Sequence, residues 1–245
     1  MALQHGASNN DLDLVGNTLQ HQAAKKGDAV AVILIHSALS PDYKQTNLFG
    51  EPIMFSAVES ANDHVIKLVT EYTNDWNFLT NHATMTGFTL LHYAVVEKKE
   101  ELVEKICQKM KGKRTRKSIS EKMTPLHLAC RNNNLKCCQL LYKLDPDQLY
   151  EADSEGKLPI HEIGNMDLLH FFLSEKPMKL TAMNYKTGRQ LIHYAAEKQI
   201  AELIICLLQC TPPLNIRDEE ENRWEDLVSR DTKRKVIIGS AGYTE

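Results

Sequence analysis

The sequence predicts an all-α solenoid of stacked helix–turn–helix units. Three observations lead there. One line of residues recurs at nearly constant steps along 245 residues. Each clear copy holds two short apolar-faced segments separated by a polar break. Two such helices cannot bury their apolar faces alone, so neighbouring copies must stack.

The first copy, GNTLQHQAAKKGDAVAVIL, starts at Gly16 and is faint. Leu12, Leu14 and Val15 precede it and are candidates to fold over its open end. The second, GEPIMFSAVESANDHVIKLV from Gly50, is degenerate and has Phe55 where other copies have histidine. The third is clear: GFTLLHYAVVEKKEELVEKI from Gly87. The step between these two is the longest, and its surplus falls in Thr73 to His82, around Trp76 and Phe78. The fourth, KMTPLHLACRNNNLKCCQLL from Lys122, explains the pattern physically. Thr124 before Pro125 is a helix start, a hydroxyl cap followed by a ring that needs no N–H. Leu126 and Ala129 share a face, Asn132 to Asn134 break it, and Leu135, Cys138, Leu140 and Leu141 mark a second helix. Glycine two positions before the threonine position suits a turn of positive φ. The fifth copy, GKLPIHEIGNMDLLHFFL from Gly156, lacks about three residues before Leu168, so its first helix or its turn is clipped at Gly164-Asn165. The sixth is GRQLIHYAAEKQIAELIICLL from Gly188, and Asn222 opens a truncated last copy with no full second helix. Anchors at 16, 50, 87, 122, 156, 188 and 222 give steps of 34, 37, 35, 34, 32 and 34 residues.

This pattern resembles the ankyrin-repeat family, whose period is about 33 residues and whose motif is T-P-L-H-x-A. Thr124-Pro125-Leu126-His127-Leu128-Ala129 matches the motif in full, and the resemblance covers roughly residues 14 to 230. It implies an ankyrin-repeat solenoid with short hairpin-like loops. The expected organisation is one array over 1–230, with repeats starting near 14, 48, 85, 120, 154 and 186, a half-repeat near 220, and a C-terminal tail over 231–245. Val236 to Ile238 are placed against the cap, with a flexible chain from Gly239 onward.

Composition sets further bounds. The chain is 42% hydrophobic and 25% charged, which supports a packed core, and its net charge of −3 gives no global argument for nucleic acid. Six cysteines, Cys107, Cys130, Cys137, Cys138, Cys206 and Cys210, lie within apolar helical patterns. Reduced core thiols and a cytoplasmic location are the expectation. Met1 to Asn10 lacks the apolar stretch of a signal peptide, and Ala29 to Ile35 is too short to span a bilayer.

The chemistry-bearing residues are read against plainer roles. His21, His92, His127, His161 and His193 share one repeat phase. The resemblance sets neighbours about 10 Å apart, whereas Zn–N bonds are about 2.0 Å; it makes each histidine a strut between loops. His127 with Cys130, Cys137 and Cys138 is the best local zinc set, and its plainer reading is buried thiols behaving as small hydrophobes. His161-Glu162 does not begin a zinc-protease motif, because Asn165 stands where the second histidine belongs. No phosphate-binding glycine motif occurs. The expectation is no enzyme, no metal and no cofactor.

Lys109 to Lys117 reads KMKGKRTRK, six cations with no acid. Lys111, Lys113, Arg114, Arg116 and Lys117 are a candidate anion site for an acidic partner, anionic lipid or RNA; a solvated loop beyond a helix C-terminus is the plainer reading. Asp218 to Glu221 reads as solvated charge at a helix start.

The resemblance implies a partner-binding face built from hairpin tips and first helices. Carried over position by position, it selects Met85, Phe88, Tyr93, Met123, Arg131, Lys157, Tyr185, Arg189 and Tyr194, a mixed aromatic–basic groove spanning the third to sixth copies. Leu128, Glu162, Lys186, Glu97 and Glu197 hold neighbouring positions. The expected function is a protein–protein interaction module or adaptor, and the expected state is a monomer. Two variants stand beside it: a secreted effector of an intracellular bacterium acting in the host-cell cytoplasm through the same face, and anionic lipid or RNA binding at the basic loop.

Overall fold

A computed structural model describes residues 11–175, 182–210 and 217–241. The expectations for Met1 to Asn10 and for residues beyond Ala241 fall outside these. The described residues form helices and isolated β-bridges, with no strand. They divide into two compact units, Met1–Ser120 and Glu121–Glu245.

In the first unit, α1 (Leu19–Lys25), α3 (Ile53–Glu59) and α6 (Leu90–Val96) pack in sequence as first helices. Their partners are α2 (Ala29–Leu39), α4 (Asp63–Thr73) and α7 (Glu100–Lys109). The surplus of the second-to-third step forms an extra helix, α5 (Trp76–Asn81), capped by Asp75 and packed on α6 and α7.

In the second unit, α8 (Pro125–Arg131), a 3-10 turn (Pro159–Glu162), α11 (Leu191–Glu197) and α13 (Trp224–Leu227) form the first-helix layer. Behind them lie α9 (Leu135–Leu144), α10 (Met166–Glu175), α12 (Ala201–Cys210) and α14 (Arg230–Ala241). In the clipped fifth copy the first helix is reduced to that 3-10 turn. Gly164 lies against Asn133, whose Oδ1 accepts the Gly164 N–H at 2.8 Å. A β-carbon at Gly164 would stand 3.0 Å from the Asn133 amide nitrogen, so a larger residue there would push the Asn133 side chain aside.

Two expectations are corrected here. The last copy has a second helix: α14 runs through Arg230–Ala241 and packs on α12, where the sequence suggested a tail; Val236 is buried as placed, whereas Ile237 and Ile238 are exposed. Ser229 starts it, with its Oγ accepting from Thr232 N at 3.3 Å. Leu12, Leu14 and Val15 do not fold over the first copy. They belong to its hairpin, closed by the Leu12–Thr18 bridge, and Leu14 is fully exposed.

Each copy opens at a residue of positive φ. These are Gly16, Gly50, Gly87, Gly156 and Gly188, with Lys122 in the fourth copy and Glu221 in the last. The last anchor is therefore Glu221 rather than Asn222, one residue earlier. The residue three before the anchor has a regular duty that the sequence reading missed. Asp13, Asn47, Asp153 and Asp218 each place one Oδ1 on two backbone N–H groups of the loop, at 2.8–3.0 Å. A side-chain acceptor at that fixed offset was the available signal. Asp218 is accordingly buried and also accepts from Arg189 Nε at 2.9 Å, so it is not solvated charge.

Candidate binding surface

The phase-locked histidines are structural. His21 Nδ1 accepts from Thr18 N at 3.2 Å, and its Nε2 meets Glu51 O at 3.1 Å in the next copy. His127 repeats this with Thr124 N at 3.2 Å and Lys157 O at 3.0 Å. His161 does so with Leu158 N at 3.0 Å and Ala182 O at 3.0 Å. A backbone N–H can only donate and a carbonyl only accept, so each ring is neutral with its proton on Nε2. The exception explains itself: the second copy has Pro52 at the cap, which has no N–H to offer, and Phe55 replaces the histidine.

Burial holds the His21 and His161 imidazoles below the usual histidine range. Unfolded, they titrate near 6.5. Below that value the unfolded chain binds protons that the folded chain refuses, so stability is full above about pH 6.5 and falls as pH drops. The slope contributed by each ring approaches about 1.4 kcal/mol per pH unit. Urea midpoints at pH 7.5 and 5.5, a window above the carboxylate range, should show a clear loss. Equal midpoints would contradict neutral struts.

Cys130, Cys137 and Cys138 are buried, with the Cys130 and Cys138 sulfurs 3.8 Å apart. Burial pushes the Cys130 thiol up, the opposite of an activated nucleophile or a ready ligand.

The hairpin tips of the first unit are joined by main-chain hydrogen bonds. Leu48 N donates to Val15 O at 3.0 Å, Met85 N to Phe49 O at 3.0 Å and Ile119 N to Thr86 O at 2.7 Å. This register lays the Leu48, Met85 and Ile119 side chains over the turn glycines Gly16, Gly50 and Gly87. They remain 63%, 72% and 69% exposed, and Phe49 beside them is 54% exposed. The result is an apolar ridge along three successive tips. The sequence reading selected Met85 alone among these four, because an apolar residue in a loop reads as scatter until its register is known.

Phe88 and Tyr93 come together behind the ridge, their rings edge-to-face at 6.1 Å. Their neighbours are Glu59 and Glu97, so in this unit the aromatic residues stand with acids rather than bases.

The basic members lie in the second unit, and most are already engaged. Buried Glu162 accepts from Arg131 Nη2 at 3.1 Å, with Lys198 Nζ at 3.9 Å and Lys157 Nζ at 4.0 Å. Burial pushes the Glu162 carboxyl up, but the Arg131 hydrogen bond and the three cations outweigh it and hold the group below its usual range. Arg189 pairs with Asp218, Glu197 and Glu220. Met123 is in the core and does not line a surface. Tyr194 is buried too, its ring 5.1 Å from His161 and its hydroxyl accepting from Asn184 Nδ2 at 2.8 Å. Tyr185 is exposed at its tip. These two burials correct the position-by-position assignment: a residue next to the turn or the histidine points inward when its apolar body finds core neighbours. Lys111, Lys113, Arg114 and Arg116 are exposed, and Lys117 is half-buried. Lys109 places its Nζ 5.7 Å from the Trp76 ring centroid.

A family model described as "Ankyrin repeat" matches residues 121–149. The solved structures extend the likeness over most of the chain. One is titled as the Bd0816 predatory endopeptidase from Bdellovibrio bacteriovorus in complex with immunity protein Bd3460, and the matched chain is 18% identical. The match covers 80% of this chain and 99% of that one, with a TM-score of 0.66. Another is the ankyrin repeat domain of Bcl-3, titled a unique member of the IkappaB protein family. It is 17% identical, covers 91% of this chain and 98% of that one, and has a TM-score of 0.64. The fold is the ankyrin-repeat fold. Within it, His21, His127 and His161 tie each copy to the next, and the positive-φ anchors open each copy. Among the described residues, no helix is long and apolar enough to cross a membrane.

Proposed function

We propose that this ankyrin-repeat chain is a protein-interaction module that takes its partner on the hairpin tips and first-helix face of the first unit. The ridge of Leu48, Phe49, Met85 and Ile119 carries this reading, because large apolar side chains stand exposed at adjoining tips where the fold asks only for a turn. The tips are held by side-chain acceptors and cross-loop hydrogen bonds, so little ordering is lost on binding. One structural neighbour comes from a complex of two proteins.

Leu48→Glu and Met85→Glu test it. Both positions are exposed, so the unfolding midpoint should hold. Capture of cross-linked partners that the wild-type chain takes from cell extract should fall about tenfold or more, as expected when central apolar anchors are lost. Unchanged capture by both variants would refute the reading.

A further inference from the structure

Behind the tip that carries Met85 lies a cleft of about 320 Å³, lined by Glu59, Thr86, Phe88, Tyr93, Val96 and Glu97. Its walls are fixed. The Tyr93 hydroxyl donates to Glu51 Oε1 at 2.5 Å, and its ring meets buried Phe55 at 4.7 Å. Phe88 stands edge-to-face against the same ring. The rim is acidic. Lys25 reaches Glu59 at 3.1 Å, while Glu97 makes no ion pair among the described residues. The space therefore offers two aromatic rings, one aliphatic wall at Val96 and two carboxylates of which one lacks a cation.

That combination suits one kind of side chain. Aromatic faces attract a cation, carboxylates form charge-assisted hydrogen bonds with it, and the apolar wall covers its alkyl stem. A neutral occupant would desolvate Glu97 without return, and an acidic one would also meet repulsion. We infer that this cleft takes the lysine or arginine side chain of an extended partner segment whose flanking apolar residues lie on the ridge. The inference rests on the protein-binding reading and specifies the chemistry of the partner.

The test uses the full chain, isotopically labelled, and acetyl-Leu-Val-X-Val-Leu-amide peptides in which X is arginine, lysine or citrulline. Saturable amide shifts are expected at Glu59 and from Thr86 to Glu97. The arginine and lysine peptides should bind about two- to fivefold more tightly than the citrulline peptide, the factor that a partly exposed charge pair supplies. Added salt should narrow the gap. Glu97→Gln should reduce the preference for the cations while leaving the unfolding midpoint unchanged, since the Glu97 carboxylate makes no ion pair among the described residues. Equal affinity for the citrulline peptide, shifts centred elsewhere, no binding of any peptide, or an undiminished preference in Glu97→Gln would each overturn the inference. Loss of partner capture by Leu48→Glu alongside any of these would leave the ridge standing and reject only the cationic occupant.

Discussion

Replacing His127 with leucine is expected to destabilise the chain by about 3 kcal/mol, the sum of two or three buried polar groups left without partners. The ring is buried and serves three groups at once. Its Nδ1 lies 3.2 Å from Thr124 N and 2.9 Å from Thr124 Oγ1, and its Nε2 lies 3.0 Å from Lys157 O. Leucine fills much of the volume and satisfies none of them. The second copy shows when an apolar ring is tolerated at this position: its cap is Pro52, so the donor that a histidine would satisfy is absent. The measurement is the urea midpoint and slope of wild type and variant. A loss under about 1 kcal/mol would mean that the strut contributes no more than an ordinary net hydrogen bond.

Gly87→Ala should have a comparable effect for a different reason. Gly87 has φ +79°, which costs an L-residue about 1–2 kcal/mol. A β-carbon there would also stand 2.6 Å from Ile119 N and 2.7 Å from Ile119 Cγ1. The nearer atom is backbone, held by the hydrogen bond from Ile119 N to Thr86 O, so the neighbouring tip must move. Overpacking of this kind adds about 1–3 kcal/mol, for a total near 3 kcal/mol. Gly112 provides the comparison. Its φ is +76°, yet nothing lies within 4 Å of a β-carbon placed there. Gly112→Ala should therefore show only the conformational cost of about 1 kcal/mol. Equal losses at both glycines would remove the close approach of the tips from the account.

The residues legible in the sequence were those that local backbone geometry demands. Thr124, Pro125 and His127 are fixed by the start of one helix. The anchor glycines are fixed by one positive φ, and Lys122 and Glu221 meet that demand without glycine. The clipped fifth copy and the surplus around Trp76 follow from counting residues. Features that depend on register between copies were not legible. Leu48, Phe49 and Ile119 look like loop scatter until cross-loop hydrogen bonds set them side by side. Met123 and Tyr194 share repeat positions with half-buried Phe88 and Tyr93, yet their own bodies find space inside. The helix of Arg230–Ala241 was missed because its sequence is mostly polar, and Val236 is buried only through packing on α12. Sequence spacing also placed the aromatic residues among bases, whereas the fold brings Phe88 and Tyr93 to Glu59 and Glu97.

The central claim is that the partner sits on the tip ridge of the first unit. The direct measurement is site-specific photo-cross-linking in cell extract, with the reactive group at Met85 in one chain and at exposed Glu104 on α7 in another. The account predicts an adduct to one protein from Met85 that is lost with Leu48→Glu, and no adduct to that protein from Glu104. The same adduct from Glu104 with none from Met85 would place the partner on the second-helix side and contradict the account.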